Sequence, residues 1–150
     1  YHQPVARELL RVCWPGGTIG LLNWTPEGFV GQLFATMRPY LPPPPPGAQP
    51  PPLWGTEGHL GALLGDAVTD VDVRRQQVTV DRFARPEDFR DYFKANYGPT
   101  IAAYRANADD PERIAALDRD LTELARRYDR GTGRTVMDWE YLLFTARKRA

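Results

Sequence analysis

The sequence predicts an α/β protein, and two features near its beginning support this fold class. Apolar residues at helical spacing, among them Val5, Leu9 and Leu10, are followed by a Pro-Gly-Gly turn at residues 15–17. The continuous apolar run 18–24 comes next and has the length of a strand. A strand that is apolar on both faces is typical of a sheet buried between helix layers. The order helix, glycine turn, buried strand therefore indicates α/β architecture.

Further helices are predicted where a cap or a proline precedes a run of apolar residues at helical spacing. These starts lie at Thr25, Thr56, Arg85 and Asp110. Between the first two, eight of the fifteen prolines fall within residues 42–52. Proline has no backbone N–H to donate to the hydrogen bonds of a helix or a central strand. This segment is therefore predicted to form an extended, polyproline-like loop. We assign a proline-rich loop to residues 39–55, inside a single domain of residues 1–150.

Two more strands are predicted in the second half of the sequence. Residues 68–73 alternate between apolar and polar side chains, as a half-buried strand does, and residues 77–83 either continue or pair with it. Residues 136–146 are rich in β-branched and aromatic side chains and predict the last strand. The acidic residues Asp70, Asp72 and Asp81 are interpreted as a solvated strand face.

Length and composition limit the function classes. The chain of 150 residues is 42% hydrophobic, and its 19 basic residues balance 19 acidic ones. This balance favours neither a nucleic acid nor an anionic membrane surface as partner. No run of about 20 apolar residues predicts a membrane span. The single cysteine, Cys13, excludes an intramolecular disulfide framework and indicates a cytoplasmic location.

Residue types that carry local catalysis or metal binding are scarce. His2 and His59 are the only histidines and lie 57 positions apart, so we expect structural histidines and no metal site. Cys13 is interpreted as a packing residue, and the sequence contains no serine nucleophile. The glycine-dense segments 55–61 and 131–133 do not stand between a strand and a helix, as a nucleotide loop requires. A hydrolase using local residues is therefore the least favoured class.

Several segments together resemble one enzyme family. Residues 6–17, followed by the apolar run 18–24, resemble the late conserved stretch of class I S-adenosylmethionine-dependent methyltransferases. Further pieces are similar, in the same order, to small-molecule methyltransferases of the ubiquinone/menaquinone-biosynthesis type. These pieces are 23–29, the proline loop, 53–57, 93–100 and 140–142.

The resemblance implies the C-terminal part of a Rossmann-like sheet, strands five to seven, with added helices. On that map 18–24 is the fifth strand, 68–73 begins the sixth, and 136–146 is an antiparallel seventh strand lying between them. The family binds S-adenosylmethionine with a glycine-rich loop after its first strand, and that region precedes everything in this sequence. The resemblance therefore implies the cofactor in the intact domain and no cofactor-binding residue here.

Ligands of open α/β sheets bind outside the carboxyl ends of strands. The carboxyl end of the first strand carries Asn23, Trp24 and Thr25, which we expect to border a pocket for the small-molecule methyl acceptor. Phe29 and Trp54 are candidates for its apolar walls, because ligand pockets are mostly apolar. No catalytic residue is assigned. The function predicted is the acceptor side of a methyltransferase, inactive alone.

One alternative remains open and belongs to another class. The chain would then be a non-catalytic interaction module that complements a separate N-terminal half or presents its proline loop. Prolines 42–46 suit an SH3- or WW-type domain, although a stiff connector closing over a pocket is the preferred interpretation. In either case the strand 18–24 would lack its neighbour, and we expect a homodimer or a companion N-terminal segment to cover it.

Overall fold

The computed structural model describes residues 1–150, which form six α-helices and three β-strands. The helices are α1 (His2–Val12), α2 (Phe29–Met37), α3 (Glu57–Leu64), α4 (Pro86–Asn96), α5 (Gly98–Ala106) and α6 (Pro111–Tyr128). The strands are β1 (Thr18–Trp24), β2 (Val68–Phe83) and β3 (Thr135–Lys148). Three short 3₁₀ helices cover Arg38–Tyr40, Pro51–Gly55 and Gly65–Ala67. The α/β class predicted from the sequence is confirmed. No helix has the length and apolar character to cross a membrane.

The three strands form one sheet in the order β1-β3-β2. β3 is antiparallel to β1, with Thr18 opposite Arg147 and Trp24 opposite Tyr141. On its other side β3 is joined to β2 by the side-chain hydrogen bonds Thr79–Asp138 and Tyr141–Gln76, whose order is that of an antiparallel pair. The last strand of the chain therefore lies between the other two, and β1 and β2 are the sheet edges.

The strict alternation predicted for residues 68–73 is wrong. Val68 and Val73 differ in parity, yet both contact the same apolar cluster. Asp70 between them has a φ of 52°, in the left-handed region. One residue in that conformation shifts the phase of the strand, as a β-bulge does, so both valines reach the core. Asp70, Asp72 and Asp81 are exposed, as expected.

The chain divides into two compact units, and the first contains β1 with parts of the other two strands. It comprises residues 1–28, 45–77 and 140–150. Its core is an apolar cluster in which α1 and α3 contribute Ala6, Leu60 and Leu64. The strands contribute Ile19, Val68, Leu142, Phe144 and Ala146 to the same cluster. Residues 19, 142, 144 and 146 share one sheet face by their register, so the helices cover that face.

The second unit comprises residues 29–44 and 78–139 and is mostly helical. Leu33, Leu117, Leu121 and Leu124 are fully buried in its helices α2 and α6, as their helical spacing predicts. Aromatic rings complete this core: Phe29 stacks on Trp139 with centroids 5.0 Å apart and meets Phe89 edge-on.

Two helix boundaries differ from the sequence prediction. α2 begins at Phe29, because residues 26–28 form bends after Thr25. Gly98–Ala106 forms a separate helix, α5, which the sequence analysis did not predict. The predicted starts at Arg85 and Asp110 are correct. Asp110 accepts a hydrogen bond from the amide of Arg113, and Asp88 accepts one from the amide of Arg85, which satisfies amides that the helices leave open.

The proline loop is irregular and exposed between its anchored ends. Residues 42–50 are all exposed, whereas Tyr40 before them is buried. Pro45 to Ala48 form a turn closed by a 3.0 Å backbone hydrogen bond, with Gly47 at a φ of 78°. Proline followed by a left-handed glycine is the pattern of a type II turn. Pro51 and Pro52 open the 3₁₀ helix Pro51–Gly55, so the loop is shorter than the predicted 39–55.

Candidate functional site

The predicted site residues Asn23, Trp24 and Thr25 lie at the carboxyl end of β1. Asn23 is opposite Leu142 and therefore belongs to the face that α1 and α3 cover. Trp24 is opposite Tyr141 on the other face, where the two rings meet edge-on with centroids 6.3 Å apart. Both rings are half-buried. The end of the strand thus presents an aromatic pair on one face and an amide on the other.

Thr25 is fully buried, and both its hydroxyl and its backbone amide form hydrogen bonds. Its hydroxyl donates to Glu140 Oε1 at 2.8 Å and accepts from the amide of Gly28 at 3.1 Å. Its own amide donates to the Glu140 carbonyl at 3.3 Å. These bonds join the end of β1 to β3 and start the turn that leads towards α2.

Glu140 also forms an ion pair with Arg75. Arg75 Nη1 donates to Glu140 Oε1 at 3.0 Å and to Glu27 Oε2 at 3.3 Å. Desolvation lowers the pKa of Arg75, but the hydrogen bonds and charges of Glu140 and Glu27 outweigh it and raise the pKa above its usual value. Arg75 thus stays charged between two carboxylates. The sequence analysis did not select Glu140 or Arg75, because their partners lie far away in sequence.

The segment Pro51–Gly55, which we call the strap, packs closely against this end of β1. A Cβ placed on Gly55 would lie 2.0 Å from the carbonyl oxygen of Trp24 and 2.9 Å from Thr25 Cα. Only glycine allows two backbones to approach this closely. The strap continues into α3 through Thr56, whose hydroxyl donates to the Leu53 carbonyl at 2.8 Å.

Trp54, the strap's predicted pocket residue, contacts both histidines of the chain. Its ring centroid lies 5.3 Å from that of His2 and 6.3 Å from that of His59. The two imidazoles are themselves joined, since His2 Nδ1 lies 2.8 Å from His59 Nε2. The sequence predicted structural histidines but gave no sign that the two would meet. Burial and the nearby His59 lower the pKa of His2.

Phe29, the remaining predicted site residue, belongs to the helical unit. Its ring is fully buried and contacts Phe89, Tyr128 and Trp139. These contacts make Phe29 a core residue of that unit. Its role as a pocket wall stays a prediction.

The two glycine-dense segments, 55–61 and 131–133, do not fit a cofactor cradle. The space beside the Gly55 Cα is occupied by the backbone of Trp24, whereas Gly58 and Gly61 lie within α3. A Cβ on Gly131 would lie 1.8 Å from the Arg134 carbonyl oxygen, within its own turn. None of them forms a loop between a strand and a helix, which phosphate or nucleoside binding requires. Neither glycine-dense segment therefore has the arrangement that would hold S-adenosylmethionine.

A concave region lies on the helical unit, between α4 and α6. It has a volume of about 440 Å³ and is lined mainly by charged side chains. Several are already paired: Arg126 with Glu87, Arg90 with Asp91, and Asp120 with the Tyr40 hydroxyl. The hydroxyl's burial and its bond to Asp120 raise the pKa of Tyr40 to about 12. Because charges of both signs line the groove and several of them are already paired, the groove points to no ligand class.

Comparison with known proteins gives relatives but no activity. No family model matches the chain. It is 54% identical over 147 residues to the uncharacterized protein Rv1403c of Mycobacterium tuberculosis, which covers 98% of this chain and 53% of that protein. It is 50% identical over 148 residues to the uncharacterized protein Rv1405c of the same organism, with 99% and 53% covered. Mycobacterium bovis Mb1438c, also named uncharacterized, matches like the first. The chain spans about half the length of these relatives.

Proposed function

We propose that the chain is the C-terminal portion of an S-adenosylmethionine-dependent methyltransferase that acts on a small molecule. It contributes the acceptor side of the site and one edge of the sheet, and it is inactive alone. The cofactor is bound in the intact domain by residues outside this chain. A free thiol such as Cys13 is stable in a reducing compartment, which supports a cytoplasmic location.

The strand order is the observation that carries this proposal. The resemblance to class I methyltransferases implies a last strand inserted, antiparallel, between the two that precede it. The order β1-β3-β2, with β3 antiparallel to β1, has that arrangement. A simple meander would instead give the order β1-β2-β3, so agreement with the expected order is informative.

The uncovered surface of β1 gives further support. Leu22 is 58% exposed, and Gly20 beside it on the same face is exposed as well. Val12 and Trp14, which precede the strand in sequence, are also exposed, at 63% and 83%. An exposed leucine on an edge strand with no further neighbour indicates a surface that another segment covers. We propose as its occupant a companion N-terminal segment, with a homodimer as the substitute when that segment is absent.

In the proposed site this chain positions the acceptor and excludes water. Trp24 and Tyr141 supply apolar surface, and Thr25 fixes the backbone that carries them through its bonds to Glu140 and Gly28. The bound cofactor supplies the methyl group. Holding the acceptor in line with that group is the main catalytic task, since transfer of this kind depends on proximity and orientation.

The test compares whole and half proteins. S-adenosylmethionine is titrated by calorimetry into the whole M. tuberculosis relative Rv1403c and, separately, into the present chain. Saturable heat is expected for the relative and none for the chain. No binding by the relative would contradict the methyltransferase assignment. Turnover of a methyl acceptor by the chain alone would contradict the claim that it is inactive.

The interaction-module alternative rests on one observation, the exposure of every residue from 42 to 50. Exposed prolines present a preformed polyproline surface to aromatic grooves. The test titrates a panel of SH3 and WW domains with the chain and with a variant carrying alanine at all five positions 42–46. Saturable binding that this variant loses supports the alternative, and equal binding by both removes it.

A further inference from the structure

His2 and His59 share a single hydrogen bond between two nitrogens. His2 Nδ1 and His59 Nε2 are 2.8 Å apart, so one nitrogen carries a hydrogen and donates a hydrogen bond, which the other nitrogen accepts. The pair can hold one positive charge and keep this bond. When both nitrogens are protonated, two N–H groups face each other and the bond is lost. The contact between α1 and α3 therefore depends on the number of bound protons.

The surroundings favour the less protonated form. His2 is buried apart from 9% of its surface, and Trp54 covers the pair from the strap with an uncharged ring. The charged group that acts on His2 is His59 on α3, whose protonated form is positive and disfavours a second charge. The cluster beneath, built from α1, α3 and the strands, is apolar. Nothing in this surrounding set is a carboxylate that would stabilise a second charge.

We propose that His2, His59 and Trp54 form a proton-operated latch, which holds α1 and α3 together at neutral pH and releases the strap in mild acid. The strap carries Trp54 at one position and Gly55 at the next, and Gly55 lies against the backbone of Trp24. Release of Trp54 thus loosens the backbone contact at the carboxyl end of β1. The latch is independent of methyl transfer and needs neither donor nor acceptor.

The direction of the pH effect follows from proton linkage. In the closed latch burial lowers the pKa of His2 below its value in the unfolded chain, which is about 6.5. The closed state therefore binds fewer protons, and its stabilisation is complete above that value and is lost as the pH falls below it.

The experiment follows both rings and the strap in the same sample. The two histidines are titrated by NMR, with His59→Gln assigning the spectra, and hydrogen exchange is measured at the amides of residues 53–55. Gln at position 59 keeps a donor and an acceptor at nearly the same place but does not titrate. Glu8→Gln is the matched control, because it removes an exposed titratable group of α1 outside the latch.

After correction for intrinsic exchange rates, protection of the strap in the wild-type chain is expected to fall about tenfold between about pH 8 and about pH 5. The same loss is expected in Glu8→Gln, and a change within about twofold in His59→Gln. Equal loss in His59→Gln would overturn the latch. So would two wild-type histidines that titrate independently near 6.5, a result that requires no variant to fold.

Discussion

The two edges of the sheet are built differently, although they belong to the same three strands. β2 carries six charged residues within its 16 positions and bends at Asp70. β1 has no charged residue, no proline and no residue with positive φ. Charges and bends prevent edge strands from pairing with other chains. β2 is therefore constructed as a terminal strand, whereas β1 is constructed to have a neighbour.

The largest effect is expected where the strap supports the β1 edge. In Gly55→Ala the new Cβ would lie 2.0 Å from the Trp24 carbonyl oxygen, so the backbones must separate. We expect the free energy of unfolding to fall by about 3 kcal/mol, measured by urea denaturation.

Gly61→Ala is the control for this substitution. Gly61 lies inside α3 with no atom within 4 Å of a new Cβ, and alanine should stabilise the helix by about 0.5–1 kcal/mol. Equal losses in both variants would mean that the contact between strap and strand is unimportant.

The next largest effect is expected at the polar end of β1. Thr25→Val removes the hydroxyl that bonds Glu140 and Gly28 while keeping the side-chain volume, and it leaves a buried amide without its acceptor. The expected loss in unfolding free energy is about 1–3 kcal/mol. Thr18→Val, at the exposed start of the same strand, should change it by less than about 0.5 kcal/mol. A neutral Thr25→Val would show that these hydrogen bonds do not fix the strand end.

The difference between the edges is tested most directly by self-association. Leu22→Lys places a charge on the β1 surface and should lower the association constant of the isolated chain by about tenfold, as measured by sedimentation equilibrium. Val71→Lys adds the same charge to β2, where Val71 is 51% exposed among charged neighbours, and should have little effect. A wild-type chain that stays monomeric, or equal effects of both lysines, would contradict the comparison.

The smallest effect concerns the bend in β2. Asp70→Val places a β-branched residue at a φ of 52° and should cost about 1 kcal/mol of unfolding free energy. Asp72→Val changes an exposed residue of the same strand without positive φ and should cost less than about 0.5 kcal/mol. Similar values for both would mean that Asp70 does not determine the bend.

Local patterns in the sequence predicted most of the secondary structure. β1 has the predicted bounds, and β3 extends one residue before and two residues beyond the predicted 136–146. Proline followed by an acidic residue located α4 and α6 because a helix start is determined by a few adjacent residues. The inserted position of β3 agrees with an expectation that came from resemblance, since no local pattern encodes strand order.

The parts that escaped prediction depend on long-range contacts or on backbone conformation. His2 and His59 meet because α1 and α3 pack together, and their spacing of 57 residues gives no signal of this. Glu140 on β3 bonds Thr25, and Arg75 on β2 bonds Glu140, because the three strands lie side by side in the sheet. The left-handed Asp70 is compatible with an alternating pattern and becomes visible only in the fold. Of the five predicted site residues, three lie at the strand end as expected, Trp54 lies on the strap, and Phe29 lies in the helical core.

The proline loop offers an attachment point for probing the molecule. Residues 42–50 are exposed, and the turn at Pro45–Ala48 is closed by a backbone hydrogen bond of its own. Exposed loop tips tolerate insertion well. A short epitope or a fluorophore placed after Gly47 would leave both cores intact and report on the strap that starts four residues later. The same stiff prolines that separate this tip from the fold would hold such a reporter away from the surface.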